Sequence, residues 1–338
     1  MLLDARIEPA SPSEVARLAV ETERAGFAAV RLSETRHEPF VTAALALAAT
    51  RRVEVMTEVA IAFARSPTVV AHAAWDLAAL GEGRFRLGLG SQVRAHIERR
   101  YAATWVSPLG RMREFVQALR ALWECWQTGK PLRVEGKFYR LSLMTPFFNP
   151  GPVAHPRIPV GLAGVNPAWA RLAGELADAF HVHPFHTPAY LREVLLPALQ
   201  AGLARSGRPR QAVQVVGSVF VVTGRTSQEL AALREEVRSQ VAFYASTPSY
   251  RRVLEHHGWG EVGQRLSQLA RLGRWQEMAS VVPDEVLQAV AVEASPEEVP
   301  RALQERYRGL LDRVAVYSPY RPGDRQLPWE QWAAAFGR

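Results

Sequence analysis

Residues 159–187, PVGLAGVNPAWARLAGELADAFHVHPFHT, hold the pattern that decides the fold. A short apolar run at 159–162 gives way to small residues and Asn166-Pro167. An amphipathic stretch follows at 167–176, and a second short apolar run at 179–183. Proline in a first helical turn forfeits no hydrogen bond, so Pro167 marks a helix start. A strand, a helix and a strand in so short a span predict two parallel strands joined by a helical crossover.

Working outward, the same alternation fills the chain. The runs at 2–7, 28–32, 53–61, 85–89, 159–162, 179–183, 213–222 and 313–317 read as strands. Helical patterns lie between them at 12–25, 39–49, 67–79, 109–126, 167–176, 188–205, 227–244 and 296–309. Ser11-Pro12, Ser66-Pro67 and Ser295-Pro296 each offer an N-cap hydroxyl, and Ser295 with Glu298 has the spacing of a capping box. Eight β/α units in 338 residues predict an α/β protein of one domain, a (β/α)8 TIM-type barrel, with a doubly wound open sheet as the structural rival. Two stretches interrupt the alternation. Residues 127–158 are rich in Gly, Pro and aromatics, and residues 245–292 are mostly helical, an insertion after strand seven. Such insertions are expected to decorate the face that carries the active site.

Composition narrows the class. The chain is 48% hydrophobic and 22% charged, which suits a globular protein with a large core. No apolar run is long enough to span a bilayer and no signal peptide is visible, so no membrane partner and a cytoplasmic location are expected. Cys125 is the single cysteine and lies in an apolar helical pattern, which predicts a buried small side chain and not a nucleophile. The net charge of +8 is almost all arginine, since lysine occurs only at Lys130 and Lys137. The arginines are scattered beside glutamates on helical stretches, which argues against nucleic-acid binding. One denser group, Arg94, Arg99, Arg100, Arg111 and Arg113, reads either as an anion-attracting strip or as solvated helix faces.

A barrel carries its chemistry at the C-terminal ends of its strands. Strand two is followed by Ser33-Glu34-Thr35-Arg36-His37-Glu38, so His37 or Glu34 is a candidate proton donor, against a plain helix-capping loop. Glu58 sits inside the apolar end of strand three, where a carboxylate must be paired or face a polar cavity. Gly88-Leu89-Gly90-Ser91-Gln92 ends strand four, and its glycines suit either close ligand approach or a tight turn. Small residues Ala163, Gly164 and Val165 open a helix, which suits a phosphate better than an ordinary βα turn. His181 and His183 share one face of strand six, where they face the barrel interior or pocket; a catalytic zinc would need a third ligand that no other strand end supplies. Phe63, Trp105, Phe147, Phe148 and Phe185 are candidate pocket walls or plain core.

Taken together, SETRHEPF, TEVAIAFARSP, GRFRLGLGSQVRAHIERRY, RLSLMTPFFNPGP and VGLAGVNP through AGELADAFHVHPFHTP resemble the luciferase-like superfamily, most closely its F420-dependent oxidoreductase branch. The resemblance spans nearly the whole chain and lies in order and spacing. It implies a barrel, often a homodimer, with a flavin or deazaflavin across the mouth and a small-molecule substrate. It implies a non-prolyl cis peptide at Glu58–Val59, cofactor contacts at Glu34, Ser91 and Gln92, and a phosphate loop at Ala163, Gly164 and Val165. By analogy the cofactor is coenzyme F420, with FMN as the alternative, and Phe63, Trp105, Phe185 and His183 wall the substrate pocket. Two positions depart from the sugar-phosphate dehydrogenases of the branch: Thr35 stands where they have histidine, and Val93 where they have glutamate. Both count against a sugar-phosphate substrate and leave His37 as the first choice of acid. Hydride transfer by an F420-dependent enzyme, an FMN-dependent monooxygenase, a non-catalytic cofactor-binding barrel and a metal hydrolase resting on His181 and His183 are the readings open at this point.

Overall fold

The computed structural model describes residues 1–324 and 326–337. Eight strands form the barrel: β1 (Leu2–Ile7), β2 (Ala29–Leu32), β3 (Glu54–Thr57), β4 (Phe85–Gly90), β5 (Val160–Gly164), β6 (Ala179–Val182), β7 (Gln214–Val222) and β8 (Arg313–Val316). Each pairs in parallel with the next in chain order, and β8 returns to β1 with Arg313 opposite Leu2. The sheet therefore closes, as eight β/α repeats require. A ring of helices covers it: α1 (Val15–Ala25), α2 (Pro39–Ala49), α3 (Pro67–Leu80), α4 (Pro108–Thr128), α5 (Pro167–Leu176), α6 (Leu196–Arg205), α7 (Val299–Tyr307) and α8 (Trp329–Phe336).

The strands alternate strictly. On β1, Leu3, Ala5 and Ile7 join the apolar layer beneath the helices, while Asp4 and Arg6 enter the barrel. Cys125 is buried in that apolar layer on α4. Among the described residues no helix is long and apolar enough to cross a membrane.

Three local features differ from the sequence reading. The run expected as one strand over 53–61 breaks after Thr57, and Ala60–Ile61 resumes as a separate short strand on β4. Of the three serines expected as caps, only Ser66 accepts a helix N–H, from Val69 at 3.2 Å. Ser11 bonds Ser13, and Ser295 donates to the Glu298 carboxylate, which leaves neither hydroxyl on a helix N–H. The capping box lies instead at Thr226 and Glu229.

The largest difference is the role of the helix at Ser227–Ala245. It lies where expected but is not the crossover to β8. That task falls to α7, and the excursion after β7 runs over residues 223–298, within which Ala291–Glu293 pairs with the end of β7. α8, packed against α7, α1 and β1, completes the ring. The excursion at 127–158 contains a small hairpin, Val134–Glu135 with Arg140–Leu141. Its turn is tied to the start of α4, because Glu114 accepts the backbone N–H groups of Lys137, Phe138 and Tyr139.

Candidate active site at the barrel mouth

A column of paired charges fills the barrel, where branched aliphatic side chains would be usual. Asp4 is fully buried and accepts four hydrogen bonds, two from Arg31 and two from Arg313, at 2.7–3.0 Å. Burial alone would raise the Asp4 pKa, but the charges of Arg31 and Arg313 outweigh it and hold the carboxyl below its ordinary range. Arg313 also reaches Glu54 at 2.6 Å; Glu54 meets Arg86 at 3.1 Å, and Arg86 meets Gln214 at 2.5 Å. Upward, Arg31 donates to Glu58 Oε1 at 2.8 Å, and Ser218 donates to the same oxygen at 3.1 Å. The other oxygen, Glu58 Oε2, is buried and accepts no hydrogen bond; Arg6 Nε is 3.9 Å away. Glu58 is thus both Arg-paired and turned with one free oxygen to the top of the column.

The peptide bond Glu58–Val59 is cis, as the resemblance implied. The glycines of β4 make room for this segment. A Cβ at Gly90 would lie 2.6 Å from Val59 Cγ2, and one at Gly88 would lie 2.1 Å from Thr57 O. The Gly-x-Gly of strand four therefore serves the barrel's own third strand. Thr57 locks the same junction, bonding both the N–H and the carbonyl of Gly88.

Glu34 is fully engaged. One oxygen accepts from Ile61 N and from Arg65, at 2.7 and 2.8 Å, and the other from the Tyr101 hydroxyl at 3.2 Å. It ties the end of β2 to the segment after the break in β3. Arg65 is shared with Glu38, which in turn caps α2 through Phe40 N and Val41 N. His37 is half-buried in this loop, and its Nε2 has no partner.

After β4, Ser91 Oγ donates to the Gln92 carbonyl and Gln92 Oε1 accepts from Val93 N, so both side chains fold back on their own loop. Gln92 is left-handed, with φ of 59°. After β5, Ala163, Gly164 and Val165 lead into α5. A Cβ on Gly164 would lie 2.3 Å from Trp169 Cβ, so only glycine lets the loop lie against the helix start. The next residue, Asn166, donates to Ser249 O of the long excursion, and its Oδ1 is buried with no partner. Small residues that lead into a helix N-terminus present free backbone N–H groups of the kind a phosphate group accepts from.

His181 is inside the barrel: its Nε2 lies 2.4 Å from where a Gly161 Cβ would be. Burial, then the charges of Arg31 and Arg86, push it down to about 3, so it is neutral. His183 accepts from Phe185 N and packs between Tyr244 and Tyr250, with ring centroids 4.7 and 4.4 Å away. Burial lowers it to about 3 as well. Among the described residues no three His, Cys, Asp or Glu side chains converge in a metal-binding arrangement.

The apolar candidates separate. Trp105 is half-buried and meets Phe63 at 5.9 Å, with Arg111 stacked over Phe63. Phe63 and Phe185 have almost no exposed surface and belong to the core. Phe147 and Phe148 point into solvent from the 127–158 excursion, away from any pocket. The five arginines do not form one strip. Arg94 pairs with Glu98, Arg113 pairs with Glu175 on α5, and Arg111 bonds Tyr139 and Thr104 O. Two surface clefts, one beside Arg265 and Arg274 and one beside Arg301 and Trp332, lie away from the strand ends.

Several mouth residues were not singled out in the sequence. Arg6 and Ser218 reach Glu58, and Tyr317, with Tyr244 on its hydroxyl, stacks under the Arg6 guanidinium. For Arg6 and Ser218 a signal existed, since each is a polar residue at an inward position of a barrel strand. No spacing rule joins Tyr244 to Tyr317.

The chain matches the family model described as luciferase-like monooxygenase over residues 3–313. An uncharacterised protein of Mycobacterium tuberculosis is 45% identical over 312 residues, covering 91% of this chain and 92% of that one. The 5,10-methylenetetrahydromethanopterin reductase of Archaeoglobus fulgidus is 28% identical over 267 residues, covering 77% and 75%. Among solved structures, the coenzyme F420-dependent tetrahydromethanopterin reductase of Methanopyrus kandleri superposes with a TM-score of 0.77 at 18% identity, covering 100% of this chain and 98% of that one. With a closed eight-strand barrel, a cis junction at the end of β3 and a family match over almost its full length, the chain belongs to the luciferase-like monooxygenase family and is an oxidoreductase of that fold.

Proposed function

We propose that the protein is an F420-dependent oxidoreductase that moves hydride between the deazaflavin and a small organic substrate. The observation that carries this is the β5–α5 junction, where Ala163, Gly164 and Val165 lead straight into the N-terminus of α5 and Gly164 packs so tightly on Trp169 that a Cβ there would lie 2.3 Å from Trp169 Cβ. Such a junction suits the phosphate of a ring cofactor. The Methanopyrus reductase, described as coenzyme F420-dependent, favours the deazaflavin. The bound deazaflavin would supply the hydride chemistry, and the chain's task is to bind, orient and exclude water. Ala163, Gly164 and Val165 would hold the phosphate. Val59 and the backbone at Gly90-Ser91-Gln92 would support the ring. Glu34 acts at one remove, fixing the segment from Val59 to Ile61 through Ile61 N and Arg65. His37, first choice of acid from the sequence, stands at the β2 edge of the same mouth with no partner on its Nε2.

Titration of the purified protein with F420 and, separately, FMN, followed by fluorescence of its nine tryptophans, tests the reading. Tighter binding of F420 is expected. Tighter FMN binding moves the protein to the flavin monooxygenases, and binding of neither overturns the redox reading.

We also propose a homodimer. On α2, Val41, Ala44, Leu45 and Ala48 form an outward stripe with no charge in the helix, and Val69 and Leu80 extend it onto α3. A helix apolar all round is normally covered. Light scattering of the protein and of Leu45→Glu checks it; dimer for the first and monomer for the second are expected.

A further inference from the structure

Tyr317 follows β8 directly, and Tyr244 lies one residue from the end of the helix at Ser227–Ala245. Their hydroxyls are hydrogen-bonded to each other, and among the described residues neither has a second partner. Two hydroxyls that share one hydrogen bond hold two protons, so one proton is left to point elsewhere. Both rings are half-buried and reach the top of the barrel, where they meet Phe220 and His183. Arg6 fixes Tyr317 from below: its guanidinium lies 4.4 Å over the ring and donates to the Tyr317 carbonyl. Arg6 also faces Glu58 Oε2 at 3.9 Å, so one guanidinium links Tyr317 to the carboxylate oxygen of the floor that accepts no hydrogen bond.

We propose that the Tyr244–Tyr317 phenol pair is the proton donor of this site and that it selects a carbonyl group as the hydride acceptor. The proposal rests on the F420 reading above. Hydride from a reduced deazaflavin forms a C–H bond at the carbonyl carbon, and the C=O π pair moves onto oxygen. The free phenol O–H breaks, and its proton goes to that oxygen, giving the alcohol and the oxidised deazaflavin. The phenolate left behind takes the proton of its partner hydroxyl, and water restores the pair. Arg6 stabilises the transient negative charge, and the hydrogen bond between the phenols strengthens the outward donor. His183, the nearest imidazole, is neutral and its Nδ1 accepts from Phe185 N, so it lacks the proton that an acid would give.

The test uses the whole protein with reduced F420 and three carbonyl probes, acetone, cyclohexanone and benzaldehyde. Cofactor oxidation is followed by absorbance, and F420 binding is measured separately by tryptophan fluorescence. Wild type is expected to reduce at least one probe with a solvent deuterium isotope effect. Tyr244→Phe and Tyr317→Phe are expected to keep the F420 dissociation constant and the melting temperature. The variant lacking the outward hydroxyl should lose roughly 10²–10⁴-fold in kcat, the usual size of general acid catalysis, and the other variant less. If wild type binds F420 but reduces none of the probes, or if both variants match it, the proton-donor assignment is overturned while the F420 reading stands. If wild type does not bind F420, both fall.

Discussion

Asp4, in the middle of the barrel, receives four hydrogen bonds from two arginines; Glu58, higher in the same column, has one oxygen bonded to Arg31 and Ser218, while the other faces Arg6 at 3.9 Å and accepts no hydrogen bond. Both are carboxylates between arginines and both are shielded from water. The difference lies in completion. Below Glu58 each charge has a partner, so that part of the column can only hold the barrel together. From Glu58 upward, two acceptors, Glu58 Oε2 and Asn166 Oδ1, and one donor, a phenol proton of the tyrosine pair, make no hydrogen bond. A buried polar atom without a partner is costly, and a native structure keeps one where a ligand completes it.

The sharpest way to break this contrast is Asp4→Asn. It leaves Arg31 and Arg313 facing each other without their shared anion, and about 3–5 kcal/mol of stability should be lost, read by chemical denaturation. Glu58→Gln should cost less, about 1.5–3 kcal/mol, since it weakens one charge-assisted bond and leaves the lower pairs intact. It should nevertheless weaken F420 binding in the fluorescence titration. Equal stability losses for the two variants would erase the distinction between column and floor. Gly164→Ala comes next: it forces the β5–α5 junction away from Trp169, costing about 1–3 kcal/mol by overpacking, and F420 affinity should fall while any binding to the rest of the molecule is unaffected.

A pH dependence separates the two regions in another way. His181 is held at about 3 when folded and returns to 6.5 when unfolded. Between those values the unfolded chain binds a proton that the folded chain refuses, so stability falls as the pH drops from about 6.5 towards 3. His183 and His186, at about 3 and about 4, act in the same direction. His181→Gln should flatten that slope in denaturation curves taken across the window, and an unchanged slope would place the acid sensitivity elsewhere. Asp4 adds its own loss only at more acid pH, because its folded pKa lies below the ordinary aspartate range and its contribution disappears as the pH falls through that lower value.

The fold was legible because each strand carries an outward apolar face and each helix a strong start, such as Pro39, Pro67 and Pro167. The site was legible where chemistry follows a strand end directly: Glu34, Glu58 and the Ala163–Val165 turn all reach the mouth. Their partners were not, because the bonds are long-range. Glu34 meets Arg65 and Tyr101, and Glu58 meets Ser218 across 160 positions. The role of the 227–245 helix was misjudged for a related reason. Amphipathic periodicity tells which face is covered and not which element covers it, so a helix of the excursion reads like one of the ring. α8 escaped notice because eight residues, WEQWAAAF, are too few to show a period.

One pairing has a consequence for synthesis. Asp4 and Arg313 are separated by 309 positions, and β1 finds its second neighbour, β8, only at the far end of the chain. At the usual 5–20 residues per second, a ribosome would complete Arg313 on the order of 15–60 s after Asp4. Throughout that interval β1 presents a half-paired edge with a carboxylate behind it, and the nascent barrel stays open at the seam. The last strand to emerge both closes the cylinder and supplies the cation at its axis, so premature termination anywhere before residue 313 should yield a chain that chaperones and proteases recognise as unfinished.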